Sequence, residues 1–115
     1  YKIVLEKQKE GDPIRYFPSD FRLGDPLLPA DPDPKIFTHA GKYYYMPFES
    51  TVCISKRWFY FTDDKDYKSL NELVELYNRA TAQNNILILN VPPARDGRMR
   101  SEDIELLKEL RKRIE

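Results

Sequence analysis

A parallel sheet covered by helices, the α/β class, is the architecture this sequence predicts, on three observations. Ile86-Leu87-Ile88-Leu89-Asn90-Val91 is a continuous apolar run of strand length, the pattern of a strand buried on both faces. An amphipathic stretch with helical spacing precedes it, carrying Leu70, Leu73, Val74, Tyr77 and Ala80. A second such stretch follows it, with Ile104, Leu107, Leu110 and Ile114 as its apolar stripe. Strand, helix, strand and helix in that order, from residue 42 onward, form a unit of two parallel strands joined by a crossover helix.

Each element has a local cause. Residues 1–6 read as a short strand with Tyr1, Ile3 and Leu5 on one face, closed by the Gly11-Asp12-Pro13 turn. Residues 13–34 hold six of the nine prolines, and proline removes backbone donors and restrains the residue before it. That segment is too apolar for a linker, with Phe17, Phe21, Leu23, Leu27 and Leu28. It reads as a long ordered loop, the kind that serves a site. Residues 42–48 are rich in strand-forming aromatics, and Pro47 marks the end of that strand. Ser69 followed by Glu72 is a capping box that opens a helix running to about Gln83, and Asn84-Asn85 breaks it. Pro92-Pro93 stops the second strand, Asp96-Gly97 makes a turn, and the last helix starts at Ser101. Glu102 and Asp103 suit its positive end, and Arg111, Lys112 and Arg113 its negative end.

A doubly buried strand needs neighbours on both sides, and 115 residues offer few. A complete eight-stranded barrel takes roughly 250 residues. The expectation is a single segment, residues 1–115, forming the C-terminal portion of a (β/α)8-like barrel. Within it, residues 1–41 are a strand plus a proline-rich loop, and residues 42–115 the strand-helix-strand-helix unit.

Composition narrows the function. Nineteen basic and nineteen acidic residues are spread through the chain, so no basic stripe recruits nucleic acid. Nothing approaches the length of a membrane span. The lone Cys53 sits in an apolar stretch as a packed thiol. The one histidine, His39, precedes an Ala40-Gly41 turn and reads as a surface loop residue. With no cluster of His, Cys and carboxylates, neither metal nor cofactor is expected. No phosphate loop or nucleophile elbow is present. Aromatic residues concentrate over residues 37–61, and their faces stack on sugars or simply fill a core.

Among the carboxylates, Glu49 differs from the Asp residues in turns. It follows the aromatic run Tyr43-Tyr44-Tyr45-Met46-Pro47-Phe48 and is expected at a C-terminal strand end, the edge where barrel active sites form. Poor solvation there raises a carboxylic acid's pKa, as a general acid requires; the plain alternative is a surface glutamate just past a strand. A carboxylic acid among aromatics suits glycosidic bond cleavage. A second carboxylate must then stand about 5–5.5 Å away for retention, or farther for inversion, and this chain offers no obvious partner. Of Trp58, Phe59 and Tyr60, at least one should enter the core, since neighbours alternate sides on an extended chain. Trp58 is the one expected to face a ligand.

Pro47-Phe48-Glu49, then Ile54, then Trp58-Phe59-Tyr60 resembles a signature of the α-L-fucosidases of glycoside hydrolase family 29. The branch acting on α-1,3/4-linked fucose is the nearest. Asp66-Tyr67-Lys68-Ser69-Leu70, Asn85-Ile86-Leu87-Ile88-Leu89-Asn90-Val91-Pro92-Pro93 and Asp96-Gly97 resemble that family's closing pattern, so the likeness spans roughly residues 42–112. Where the family has Ser-Ile-Arg-Pro-Gly, this chain has Cys53-Ile54-Ser55-Lys56-Arg57, and Phe61 replaces a common His. The resemblance implies a retaining exo-fucosidase on an irregular β/α barrel, secreted or periplasmic, with a fucosylated oligosaccharide as substrate. It implies that Glu49 is the acid/base, that an Asp nucleophile lies upstream of Tyr1, and that the rest of the barrel completes the enzyme. The competing readings are a non-catalytic carbohydrate-binding module and a degenerate homologue that lost its nucleophile.

Overall fold

Pro47 divides what the sequence presents as one strand. The computed structural model describes residues 9–14, 20–23 and 33–115; the expected strand over residues 1–6 and most of the proline-rich loop lie outside the described residues. The strands are β1 (Arg22–Leu23), β2 (Ile36–His39), β3 (Lys42–Tyr45), β4 (Phe48–Cys53) and β5 (Ile86–Asn90); the helices are α1 (Leu70–Ala82) and α2 (Ser101–Ile114). The aromatic run ends as β3, which pairs antiparallel with β2. Ala40 and Gly41 turn that hairpin, with φ of 49° and 74°. Two successive positive φ angles match the right-handed twist of the flanking strands. After Met46 and Pro47 the chain begins a new strand, β4, in a different sheet.

That second sheet is parallel, in the order β1-β4-β5. The expected crossover unit is present: β4 leads through a loop and α1 into β5, and α2 returns after it. Expected helix signals are in place. Ser69 Oγ accepts from the Glu72 amide at 3.2 Å, and the Glu72 carboxylate accepts from the Ser69 amide at 2.7 Å. α2 carries Glu102 and Asp103 in its first turn and Arg111, Lys112 and Arg113 in its last.

Period-two alternation then assigns the faces. Ile54, Leu73 and Leu110 form a buried cluster between sheet and helices, with Leu89 and Val91 packed on it. The residues between these turn to the opposite face, away from the helices. The register couples them in three rows: Glu49 beside Ile86, Thr51 beside Ile88, and Cys53 beside Asn90. Here the expected double burial of β5 is corrected. Ile86 and Ile88, on the face away from the helices, are 37% and 45% exposed. In a closed β/α barrel the face away from the helices is the interior, filled by side chains in layers.

The N-terminal ends of the strands are tied by a buried polar group. The Asp33 carboxylate, 3% exposed, accepts from Arg22 at 2.6 Å, from Asn85 at 2.7 Å and from Lys35. The Asn85 side-chain carbonyl accepts from the Phe48 amide at 2.8 Å. The Arg22 guanidinium also lies over the Phe37 and Phe48 rings, 5.2 and 5.4 Å from their centroids. One carboxylate thus holds the starts of β1, β4 and β5 and the approach to β2 together. Burial pushes Asp33 up, but hydrogen bonds from Lys35, Arg22 and Asn85 outweigh it and hold the carboxyl below its ordinary 3.8.

Candidate functional site at the C-terminal strand edge

Active sites of parallel α/β folds form where strands end, and the N-terminal face serves stability. Cys53 and Asn90 mark the C-terminal edge here. Beyond it, residues 56–66 form a loop whose base is closed by hydrogen bonds. Lys68 N donates to Ile54 O at 2.9 Å and Lys56 N to Asp66 O at 3.0 Å, with a Ser55–Tyr67 bridge between them. A loop with such tied ends is a compact surface unit, often functional.

Buried polar groups hold this loop against the start of α2. Asp64, 6% exposed, accepts from Ser55 Oγ at 2.9 Å and from its neighbour Asp66 N at 3.3 Å. Arg100 donates to the Asp64 carbonyl at 3.2 Å and grips Asp103 through two hydrogen bonds, at 2.9 and 3.1 Å. The paired geometry matches the flat guanidinium to the carboxylate. The same guanidinium stands 5.0 Å from the Tyr67 ring and 5.7 Å from the Tyr60 ring. Each charge feels the others. The hydrogen bond to Asp103 raises Arg100 against the opposing effect of burial. Burial raises Asp64, but the Ser55 and Asp66 hydrogen bonds and the charges of Arg57 and Arg100 bring it below its usual value. Burial and the charge of Asp103 push the Tyr67 hydroxyl up.

What the loop presents is aromatic. Trp58 is 44% exposed, Phe59 71% and Phe61 46%; Tyr60 is half-buried. None of the three is fully buried; Tyr60, beside Arg100, is the most covered. Trp58 stands exposed beside the C-terminal strand edge, and Asn90 bonds its backbone. The Asn90 Nδ2 group donates to the Trp58 carbonyl at 2.8 Å and contacts Cys53 Sγ at 3.3 Å. Arg57 lies 4.5 Å over the Phe61 ring and pairs with Asp63 at 3.0 Å.

Glu49 is elsewhere. Its expected place at a C-terminal strand end is corrected: it is the second residue of β4, in register with Leu23 of β1 and with Ile86, the first residue of β5. The cause is Pro47, which ends β3 and lets β4 start at Phe48, so that Glu49 enters the sheet at its beginning. Its carboxylate is 2% exposed and accepts from Thr51 Oγ1 on the same face of the strand. Four residues of strand separate it from Cys53, about 13 Å at ~3.3 Å per residue. The structure therefore brings Trp58, Cys53 and Asn90 together and leaves Glu49 at the opposite edge, in the lowest of the three rows. Among the described residues, no three His, Cys, Asp or Glu side chains gather as a metal site would need.

The sequence places Asn90, with Val91-Pro92-Pro93, at a C-terminal strand end but gives it no role, and it singles out neither Arg100 nor Asp64. Asn90 had a signal, since a polar residue closing an apolar strand before Pro92-Pro93 sits at the functional edge. Arg100 and Asp64 had none, because 36 residues separate them and only the fold joins them.

Comparison with known proteins identifies the family. Residues 18–114 match the family model described as alpha-L-fucosidase. A putative alpha-L-fucosidase 1 from rice is 35% identical over 65 residues, and alpha-L-fucosidase 1 from Arabidopsis thaliana is 31% identical over the same length. Both stretches cover 56% of this chain and an eighth or so of those proteins, 12% and 13%. Among solved structures, an alpha-L-fucosidase isoenzyme 1 from Paenibacillus thiaminolyticus superposes with a TM-score of 0.63 at 27% identity, over 79% of this chain and 20% of that one. A putative alpha-L-fucosidase from Bacteroides thetaiotaomicron gives 0.56 at 35% identity, over 59% and 15%. A GH29 fucosidase from Ruminococcus gnavus in complex with fucose gives 0.58 at 27% identity, over 65% and 15%. The chain belongs to the alpha-L-fucosidase family, of whose members it spans a fraction.

Proposed function

We propose that this chain is the C-terminal part of the catalytic β/α barrel of a glycosidase that releases terminal α-L-fucose from oligosaccharides or glycoconjugates. The observation that carries this is an exposed Trp58 fixed by Asn90 at the C-terminal edge of two parallel strands, in a chain of the fucosidase family. Its open sheet face, with Ile86 and Ile88 uncovered, is the surface that the remaining strands of a barrel would close over. An indole beside the sugar offers a flat apolar wall against the ring or the methyl group of fucose. A retaining mechanism needs a nucleophilic carboxylate and an acid/base about 5–5.5 Å apart, and the nucleophile comes from outside this chain.

The resemblance assigns the acid/base to Glu49, and the strand-end placement that gave this assignment physical support is absent. Buried in the lowest row and hydrogen-bonded to Thr51, Glu49 is better suited to holding that row than to reaching a sugar at the rim. The full-length enzyme should hydrolyse an aryl α-L-fucoside, with α-fucose as the first-formed product by NMR. Release of β-fucose first would refute retention, and no turnover would refute the function. A panel of α-1,2-, α-1,3-, α-1,4- and α-1,6-linked oligosaccharides tests the α-1,3/4 preference that the resemblance implies.

A further inference from the structure

Asn90 has a geometry that a strand-capping residue does not require. Its Nδ2 group donates to the Trp58 carbonyl at 2.8 Å, across 32 residues of sequence, and contacts Cys53 Sγ at 3.3 Å. A carbonyl only accepts, so this contact fixes which end of the amide faces Trp58. The bond spans from the end of β5, in the row shared with Cys53, to the aromatic loop. The loop's base is tied separately, at Ile54, Lys56, Asp66 and Lys68, and its far side is tied by Asp64 and Arg100. Trp58 lies between those anchors, next to Arg57, whose carbonyl accepts from Ser55 Oγ at 3.4 Å, and among the described residues the Asn90 amide bonds Trp58 itself to the strand edge.

We propose that Asn90 is a positioning residue for substrate binding, holding the backbone at Trp58 so that the indole meets the fucose ring. It acts through Trp58, and the inference rests on the fucosidase reading given above. Its ligand class is the non-reducing α-L-fucosyl group, met by the indole face. A wall held in place makes its contact without ordering a loop first, so loosening it weakens binding while leaving bond cleavage intact.

The test uses the full-length enzyme with an aryl α-L-fucoside, comparing Asn90→Asp, Asn90→Ala, Trp58→Ala and the two double variants. Asn90→Asp keeps the shape but puts a carboxylate oxygen against the Trp58 carbonyl, so it should raise KM at least as much as Asn90→Ala. The expected rise is about tenfold, the factor for one hydrogen bond lost at a positioned group, with kcat nearly unchanged. In the Trp58→Ala background the Asn90 substitutions should add no further rise in KM, because the group they position is gone. Should Asn90→Asp fail to fold, Asn90→Ala carries the same test. An unchanged KM in the Asn90 variants while Trp58→Ala raises it would overturn the proposal, as would full additivity in the double variants. Failure of the function reading is distinguishable: the wild-type enzyme would then turn over no fucoside at all.

Discussion

Replacing Glu49 by Gln separates the two roles open to that carboxylate, and the structure supplies the magnitude. Glu49 and Cys53 lie on the same face of β4 four residues apart, about 13 Å at ~3.3 Å per residue. A general acid must come within about 2.6–3.2 Å of the oxygen it protonates, or reach it through one water. A sugar resting on Trp58 and Asn90 is beyond that reach, so Glu49→Gln should leave the discrimination between leaving groups unaltered. Its effect should fall on stability instead. The amide carbonyl of the substituted side chain still accepts from Thr51 Oγ1, so the loss is at most the difference between a charged hydrogen bond, about 1.5–3 kcal/mol, and a neutral one, about 0.5–1.5 kcal/mol; relief of a buried charge offsets part of that difference. A net destabilisation of no more than about 1 kcal/mol follows. The assay is kcat/KM for a fucosyl disaccharide and for an activated aryl fucoside, measured on the full-length enzyme beside its thermal midpoint. A loss of about 10²-fold or more on the disaccharide, with the aryl substrate spared, would refute this placement argument and restore Glu49 as the acid/base.

Two further outcomes follow from the charges at the strand starts. Asp33→Ala leaves Arg22, Lys35 and Asn85 facing one another without their shared acceptor. Breaking a buried pair costs about 3–5 kcal/mol. Arg22 and Lys35 keep 13% and 14% exposure, so the lower end, about 3 kcal/mol, is expected, read as a lower thermal midpoint and faster amide exchange over residues 33–53. Acid should weaken the fold through the same group. Asp33 is held below its ordinary value, so the unfolded chain takes up its proton first as pH falls. That contribution is complete above about pH 5 and is lost as pH drops through the ordinary 3.8 toward the lower folded value. Thermal midpoints from pH 7 to pH 2.5 should show the loss, and Asp33→Ala should flatten it.

The helices were legible because their causes are local. Ser69 and Glu72 lie three residues apart, and Leu70, Leu73, Val74, Tyr77 and Ala80 repeat at helical spacing, so propensity, cap and stripe agree. β5 was legible as an unbroken apolar run. β4 was not. Its residues Phe48, Glu49, Ser50, Thr51, Val52 and Cys53 mix polar and apolar types, because one face packs on helices and the other faces away from them. Ser50 is fully buried on the helix-facing side, and no period-two signal survives such a mixture. Missing β4 moved the end of the preceding strand onto Glu49, so one error in strand assignment became an error of edge. Trp58 was legible as a candidate, because the aromatic run around it marks it. The bonds that hold Trp58's loop were not legible, since Asn90 and Arg100 meet their partners 32 and 36 residues away. The family resemblance carried what local pattern could not, because it used an ordered set of motifs rather than any one of them.

The central claim is that fucose meets this chain at the C-terminal strand edge, against Trp58, in the row of Cys53 and Asn90. A crystal structure of the full-length enzyme soaked with fucose tests it most directly. The sugar is predicted to lie with its ring or methyl group against the Trp58 indole, about 13 Å along β4 from the Glu49 row. Fucose seated against the Glu49 carboxylate, with Trp58 out of contact, would contradict the account.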